Sequence, residues 1–165
     1  MENNIVICNS SPIINLSKIH RLDLLKLLFD KVIIPNAVYD ELVLNPEYIN
    51  EIEQLKNCIK QGTIEVKKVI DVNLVKALRN ELDYGESEVI ALALDEKADI
   101  VIIDELEARK KAELFNLSKT GFIGLLIKAY KLNHINDVIG YLDLAIEKGF
   151  WINRRLYKRI VADFK

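Results

Sequence analysis

The sequence predicts an α/β fold in three layers, α/β/α, with a mostly parallel central sheet and a helical C-terminal extension. Two observations carry this. Short apolar runs, Ile5-Val6-Ile7-Cys8, Val32-Ile33-Ile34 and Ile100-Val101-Ile102-Ile103, alternate with longer stretches whose apolar residues recur at helical spacing. Each run also ends at once, in Asn9, Pro35 and Asp104. Strands that alternate with helices in this way build parallel βαβ units with helices on both faces.

The elements follow in order. Residues 5–8 form the first strand. Ser11-Pro12 reads as an N-cap with proline at the first helical position. Ile13, Ile14 and Leu16, then Leu22, Leu24, Leu25, Leu27 and Leu28, supply helical apolar faces. Val32, Ile33 and Ile34 make a short buried strand, and Pro35 opens a helix carrying Val38, Glu41, Leu42 and Val43. Asn45-Pro46 breaks it. A helix is expected over 47–60, stopped by Gly62, then a strand within 64–69. Helices follow over 72–78 and 84–93, a core strand over 100–103, a helix over 106–114 and a short strand within 117–120. The remainder reads as helix over 122–130, 135–146 and 154–161, with Gly149 between the last two.

A chain of 165 residues suits one domain, with its sheet core at about 4–120 and the helical part at about 121–165. At this size about 70% of the unfolded surface can be buried, so no disulfide or metal staple is needed. Cys8 and Cys58 lack metal-ligand spacing and are expected to be reduced. The net charge of −2 excludes a globally basic nucleic-acid binder, so any such contact needs a local patch. No apolar run of 18 residues and no leader pattern occurs in the chain, and a cytoplasmic protein is expected.

The carboxyl ends of parallel strands line one edge of a sheet, where ligands bind. Asn9 and Asp104 follow strands, while Glu41 and Glu86 lie on intervening helices. Together they would make an oxygen-rich acidic pocket suited to Mg²⁺ or Mn²⁺. Each has a plainer reading. Asp104-x-x-Glu107 and Asp83-x-x-Glu86 both have capping-box spacing. Glu41 suits a solvated helix face, Glu88 is expected to meet solvent, and Asn9 suits a turn bonded to its own backbone. Ser10 and Ser11 either cap a helix or orient a neighbouring ligand.

Basic residues cluster at Lys67-Lys68, Arg109-Lys110-Lys111, and Arg154-Arg155 with Lys158 and Arg159. The middle cluster lies within two turns of Asp104 and could hold phosphates there. The last alternates with Trp151, Leu156, Tyr157 and Ile160, which fits either nucleic-acid contact or a packed amphipathic helix. His20 and His134 are isolated. No GxGxxG, P-loop or Ser-His-Asp constellation is present. A receiver-like acidic pocket would need paired acids near the first strand, and these are absent.

Several segments together resemble the PIN domain, the fold of many metal-dependent ribonucleases and of VapC-type toxins. They are Val6-Ile7-Cys8-Asn9-Ser10-Ser11-Pro12-Ile13-Ile14, Arg21-Leu22-Asp23-Leu24-Leu25 and Ile33-Ile34-Pro35-Asn36-Ala37-Val38-Tyr39-Asp40-Glu41. Gly85-Glu86-Ser87-Glu88-Val89-Ile90-Ala91-Leu92-Ala93, Ile103-Asp104-Glu105-x-x-Ala108-Arg109 and Gly149-Phe150-Trp151-Ile152 complete the set. The resemblance implies a catalytic set of Asn9, Glu41, Glu86 and Asp104 that holds Mg²⁺ or Mn²⁺. Glu105 or Glu107 is then a further participant, Ser10 and Ser11 orient the ligands, and Arg109, Lys110 and Lys111 contact nucleic acid.

Asn9 departs from the acid usual at the first position. Its amide oxygen can ligate a metal but brings no charge. The resemblance therefore implies a metal-dependent endoribonuclease, in a toxin role a partner to a small antitoxin. The alternative is a catalytically weak module that binds nucleic acid or protein. The expected substrate is single-stranded or structured RNA, no membrane is involved, and a homodimer is compatible with the apolar helix at 122–130.

Overall fold

The computed structural model describes residues 4–165. Strand β1 (Val6–Cys8) is the centre of a five-stranded sheet, flanked by β2 (Val32–Pro35) and then β3 (Ile64–Lys67) on one side. On the other side lie β4 (Ile100–Ile102) and β5 (Lys119–Thr120). Every pairing is parallel, so the expected sheet is wholly rather than mostly parallel. Val6, Ile7, Cys8, Val32, Ile34, Val101 and Ile102 are all buried. This is the pattern of strands covered on both faces, and it explains why they read as unbroken apolar runs.

The helices form the outer layers: α1 (Ser10–Lys18), α2 (Leu24–Phe29), α3 (Asn36–Leu44), α4 (Ile49–Lys60), α5 (Val72–Leu78), α6 (Tyr84–Asp95), α7 (Leu106–Leu114), α8 (Phe122–Lys131), α9 (Val138–Glu147) and α10 (Arg154–Phe164). Of these, α6 is the most buried. Residues Val89 to Ala93 are fully enclosed, packed on β1 and β2 and touching α3, α5 and α7. Helix α8 meets α1, α2 and α9.

Three local readings change. Helix α1 starts at Ser10 with Asn9 as its N-cap residue, so Ser11 and Pro12 lie inside the first turn. Pro35 ends β2 and precedes α3 rather than opening it. The stretch expected as one helix from residue 47 divides into a 3-10 turn, Pro46–Tyr48, and α4. The Asn45 side chain caps that turn through the Glu47 N–H, at 3.0 Å.

The topology also fixes where a site can form. From β1 the chain builds outward through β2 and β3, then crosses back to place β4 on the opposite side of β1. A crevice opens at such a switch point, at the carboxyl ends of the two strands. Cys8 is in register with Ile102, and the Asn9 N–H extends the ladder to Ile102 O at 3.0 Å. Asn9 and the Ile103-Asp104-Glu105 segment are therefore neighbours at that edge.

Candidate active site

The residue after β1 does not bond to its own backbone. Asn9 is 2% exposed and makes no capping bond; its Nδ2 donates to Glu105 Oε2 at 3.0 Å. The Ser11 hydroxyl donates to the other oxygen of the same carboxylate. Glu105 is the N-cap residue of α7, with its side chain turned away from its own helix and toward α1. Asn9 Oδ1 is buried and has no hydrogen-bond partner.

Asp104, expected to cap the next helix, instead receives the Phe122 N–H at 2.9 Å on Oδ1, and so closes the first turn of α8 across the sheet edge. The capping box with Glu107 does not form. Asp104 Oδ2 is buried without a partner. Burial pushes the Asp104 carboxyl up to about 6, and Glu105 adds repulsion; the Phe122 N–H and the Arg109 guanidinium pull the other way. Arg109 donates from Nη1 to Ile103 O at 2.9 Å, which stitches it to the strand end.

Glycine at position 121 makes this packing possible. A Cβ there would overlap Asp104 Oδ1 and sit 3.1 Å from Arg109 Nη1 and 3.3 Å from Ile103 O.

The second group of acids lies where α3 meets α6. The expected box at the start of α6 is present: Glu86 N–H donates to Asp83 Oδ1 at 2.7 Å, and Asp83 N–H donates to Glu86 Oε2 at 3.1 Å. Glu41 lies over Gly85, where an added Cβ would be 3.1 Å from Glu41 Oε2. The pKa of Glu41 is raised by burial first, against the pull of the Ser10 hydroxyl, with Asp83 and Glu105 repelling it. That of Glu86 is raised by burial, against the Asp83 N–H, with repulsion from Asp83, Glu105 and Glu41. Glu105 thus repels acids of both groups, and the two form one negative field at the sheet edge.

The structure also separates residues that the sequence grouped. Glu107 is exposed and pairs with Lys110 at 3.4 Å. Lys111 pairs with Glu81. Of the middle basic cluster only Arg109 stands beside Asp104. Glu88, expected in solvent, is 7% exposed and accepts the Ala37 N–H at 2.7 Å, holding the first turn of α3. Cys8 is fully buried, and its thiol pKa is pushed well up by burial, then by Asp104 and Glu105.

Two participants escaped the sequence reading. Asp83 registered only as a cap, although it borders both Glu41 and Glu86. Gly121 left no local signal, because its neighbour Asp104 is remote in sequence.

Among the described residues no three His, Cys, Asp or Glu side chains stand close enough to form a preassembled metal cage. None of the described helices is long and apolar enough to cross a membrane. A family profile described as a PIN domain, DUF3368, matches residues 5–165. No curated protein matches the chain. The profile covers nearly the whole chain, and the chain belongs to the PIN-domain family.

Proposed function

We propose that the protein is a Mg²⁺- or Mn²⁺-dependent endoribonuclease whose site is the switch-point crevice. The carrying observation is the pair of buried oxygens without partners, Asp104 Oδ2 and Asn9 Oδ1, at adjacent strand ends. A buried carboxylate oxygen left unpaired costs free energy unless a cation or a proton meets it. Both atoms are hard oxygen donors. They suit a small divalent ion that keeps several waters and takes few protein ligands. Asp104 and Asn9 would hold the ion; Glu41 and Glu86 would add charge through water. The residues present thus fit the ion as a sparse site rather than as a closed cage.

The chemistry supplied by such an ion is activation of water and neutralisation of charge developing on phosphate. The chain's own groups set the stage for it. The Phe122 N–H and Gly121 fix Asp104 in one position. Asn9 and Ser11 fix Glu105. Arg109, held to Ile103 O, places a permanent positive charge beside Asp104. The toxin role, with a small antitoxin covering the acidic crevice, rests on the resemblance to VapC-type chains.

A second reading is favoured by one observation. The Asn9 amide satisfies an oxygen of Glu105 with a hydrogen bond in place of a cation, an arrangement that suits a PIN module that binds without cutting.

Incubation of a mixed single-stranded RNA pool with Mn²⁺ or EDTA, wild type beside Asp104→Asn, separates the readings. Cuts that need Mn²⁺ and vanish in the variant are expected. No cuts by folded wild type would favour the binding module.

A further inference from the structure

The C-terminal helix carries a feature that the acidic crevice leaves unused. Helix α10 is sharply two-sided. Ile160 is buried, the Phe164 ring meets Tyr130 edge-on at 5.3 Å, and the Tyr157 hydroxyl donates to Asp143 at 2.6 Å, so this side packs on α8 and α9. Arg154, Arg155, Lys158 and Arg159 occupy the opposite side, all exposed. None of them forms an ion pair among the described residues. Trp151, three residues before the helix, is 80% exposed.

This arrangement opposes the stability of the helix. Arg154 and Arg155 fill the first turn, at the positive end of the helix dipole, where cations are unfavourable. Arg154 with Lys158 and Arg155 with Arg159 are like-charge pairs four residues apart, which also repel. An anion on this face relieves both costs. An exposed indole three residues ahead of a helix with four exposed cations supplies what holds a single strand, cations for the phosphates and a ring for a base to stack on. Beside Trp151 the exposed part of α10 offers only Leu156 as a large apolar neighbour, too little for a protein partner's apolar seam.

Two contacts link the residue before Trp151 to the crevice. Phe150 packs on Phe122 with ring centroids 4.9 Å apart, and the Phe122 N–H holds Asp104. Trp151 is the next residue after Phe150.

We infer that Trp151 and the cationic face of α10 form a docking ridge for single-stranded RNA leading to the crevice. The inference rests on the nuclease reading for its purpose, but not for its test. Binding is measured in EDTA, with a fluorescein-labelled oligouridine of about a dozen nucleotides, a length within the usual site size for single strands. Trp151 is the only tryptophan, so its emission reports on the ridge directly.

The expected result is quenching of Trp151 by the RNA and salt-sensitive binding. Trp151→Ala should weaken it about tenfold, the scale of one stacked base. Arg154→Glu with Arg159→Glu should lower the slope of log affinity against log salt by about 0.7 for each phosphate no longer neutralised. Arg154→Glu alone should melt no lower than wild type, since it removes repulsion at the helix start. Unquenched emission, equal binding by the variants, or equal binding of polyglutamate would each overturn the inference. Ridge binding without Mn²⁺-dependent cleavage would sink the nuclease reading alone. Cleavage that the ridge variants leave unchanged would sink the ridge alone.

Discussion

Asp104 and Phe122 are 18 residues apart, yet the Asp104 carboxylate closes the first turn of the helix that Phe122 begins, at 2.9 Å. One oxygen is committed to structure and the other is buried and unpaired. The same side chain therefore anchors α8 and keeps one carboxylate oxygen free of any partner.

The first prediction concerns pH. The folded state holds the Asp104 proton up to about 6, against 3.8 for the free group. Between those values the native protein binds more protons than the unfolded chain, so stability falls as pH rises through the window. Two pKa units correspond to at most about 3 kcal/mol. Asp104→Asn keeps an acceptor for the Phe122 N–H and carries no charge. In metal-free urea melts it should exceed wild type in stability at pH 7, and the gap should close below pH 4. Added Mn²⁺ should raise the melting temperature of wild type and leave the variant unmoved.

Gly121→Ala tests the close approach behind Asp104. The glycine has φ −131°, a value alanine adopts freely, so the effect is steric. The added methyl displaces Asp104 or Arg109. A loss of about 1–3 kcal/mol is expected, the range for overpacking a tight site. Calorimetric titration should show weaker Mn²⁺ binding, and unchanged binding would remove this packing from the account.

Asn9→Asp replaces a hydrogen-bond donor by a second carboxylate against Glu105. In EDTA at pH 7 this should cost about 1–3 kcal/mol, the penalty for leaving a buried group without its partner. Mn²⁺ should recover the loss, and cleavage of single-stranded RNA should rise above wild type. A variant as stable as wild type in EDTA would contradict the Asn9–Glu105 hydrogen bond.

Glu88 and Glu86 should behave oppositely. Glu88→Ala strips the Ala37 N–H of its charged acceptor and should cost about 1.5–3 kcal/mol, with little change in cleavage per folded molecule. Glu86→Gln retains an oxygen for the Asp83 N–H. It should keep most of its stability and lose activity. Thermal melts with RNA cleavage at fixed folded concentration distinguish the two.

The sequence disclosed partners that lie close along the chain. The Asp83–Glu86 box sits within one helical turn, and the spacing alone revealed it. The three central strands, β1, β2 and β4, were legible because sheet residues buried on both faces must be apolar. Partners brought together by the sheet left no such trace: Asn9 with Glu105, Asp104 with Phe122, and Glu88 with Ala37. The plainer readings of Asn9 as a self-bonded turn and of Asp104 as a helix cap give way to these tertiary bonds, and Glu88, expected in solvent, is buried instead.

Helix ends show the same division. Gly62 and Gly149 mark left-handed stops with φ of +80° and +107°, and glycine announces them. His20, Lys97, Asn116 and Asn133 make the same turn with φ between +53° and +62°, closed by bonds such as Ala98 N–H to Ala93 O at 2.9 Å. Lysine and histidine give no such announcement, and α6 accordingly runs two residues past its expected end at Ala93.

The distance along the chain between Asn9 and Glu105, and from there to Phe122, orders events during synthesis. Strands β1 and β4 must pair before Asn9 can meet Glu105, and Asp104 has no anchor until Phe122 has emerged. Contacts of such sequence separation form late, because the chain between them must first be closed. A growing polypeptide therefore exposes its acids as separate, unassembled groups until residue 122 has emerged. The crevice comes into being only once β1, β4 and the start of α8 stand together.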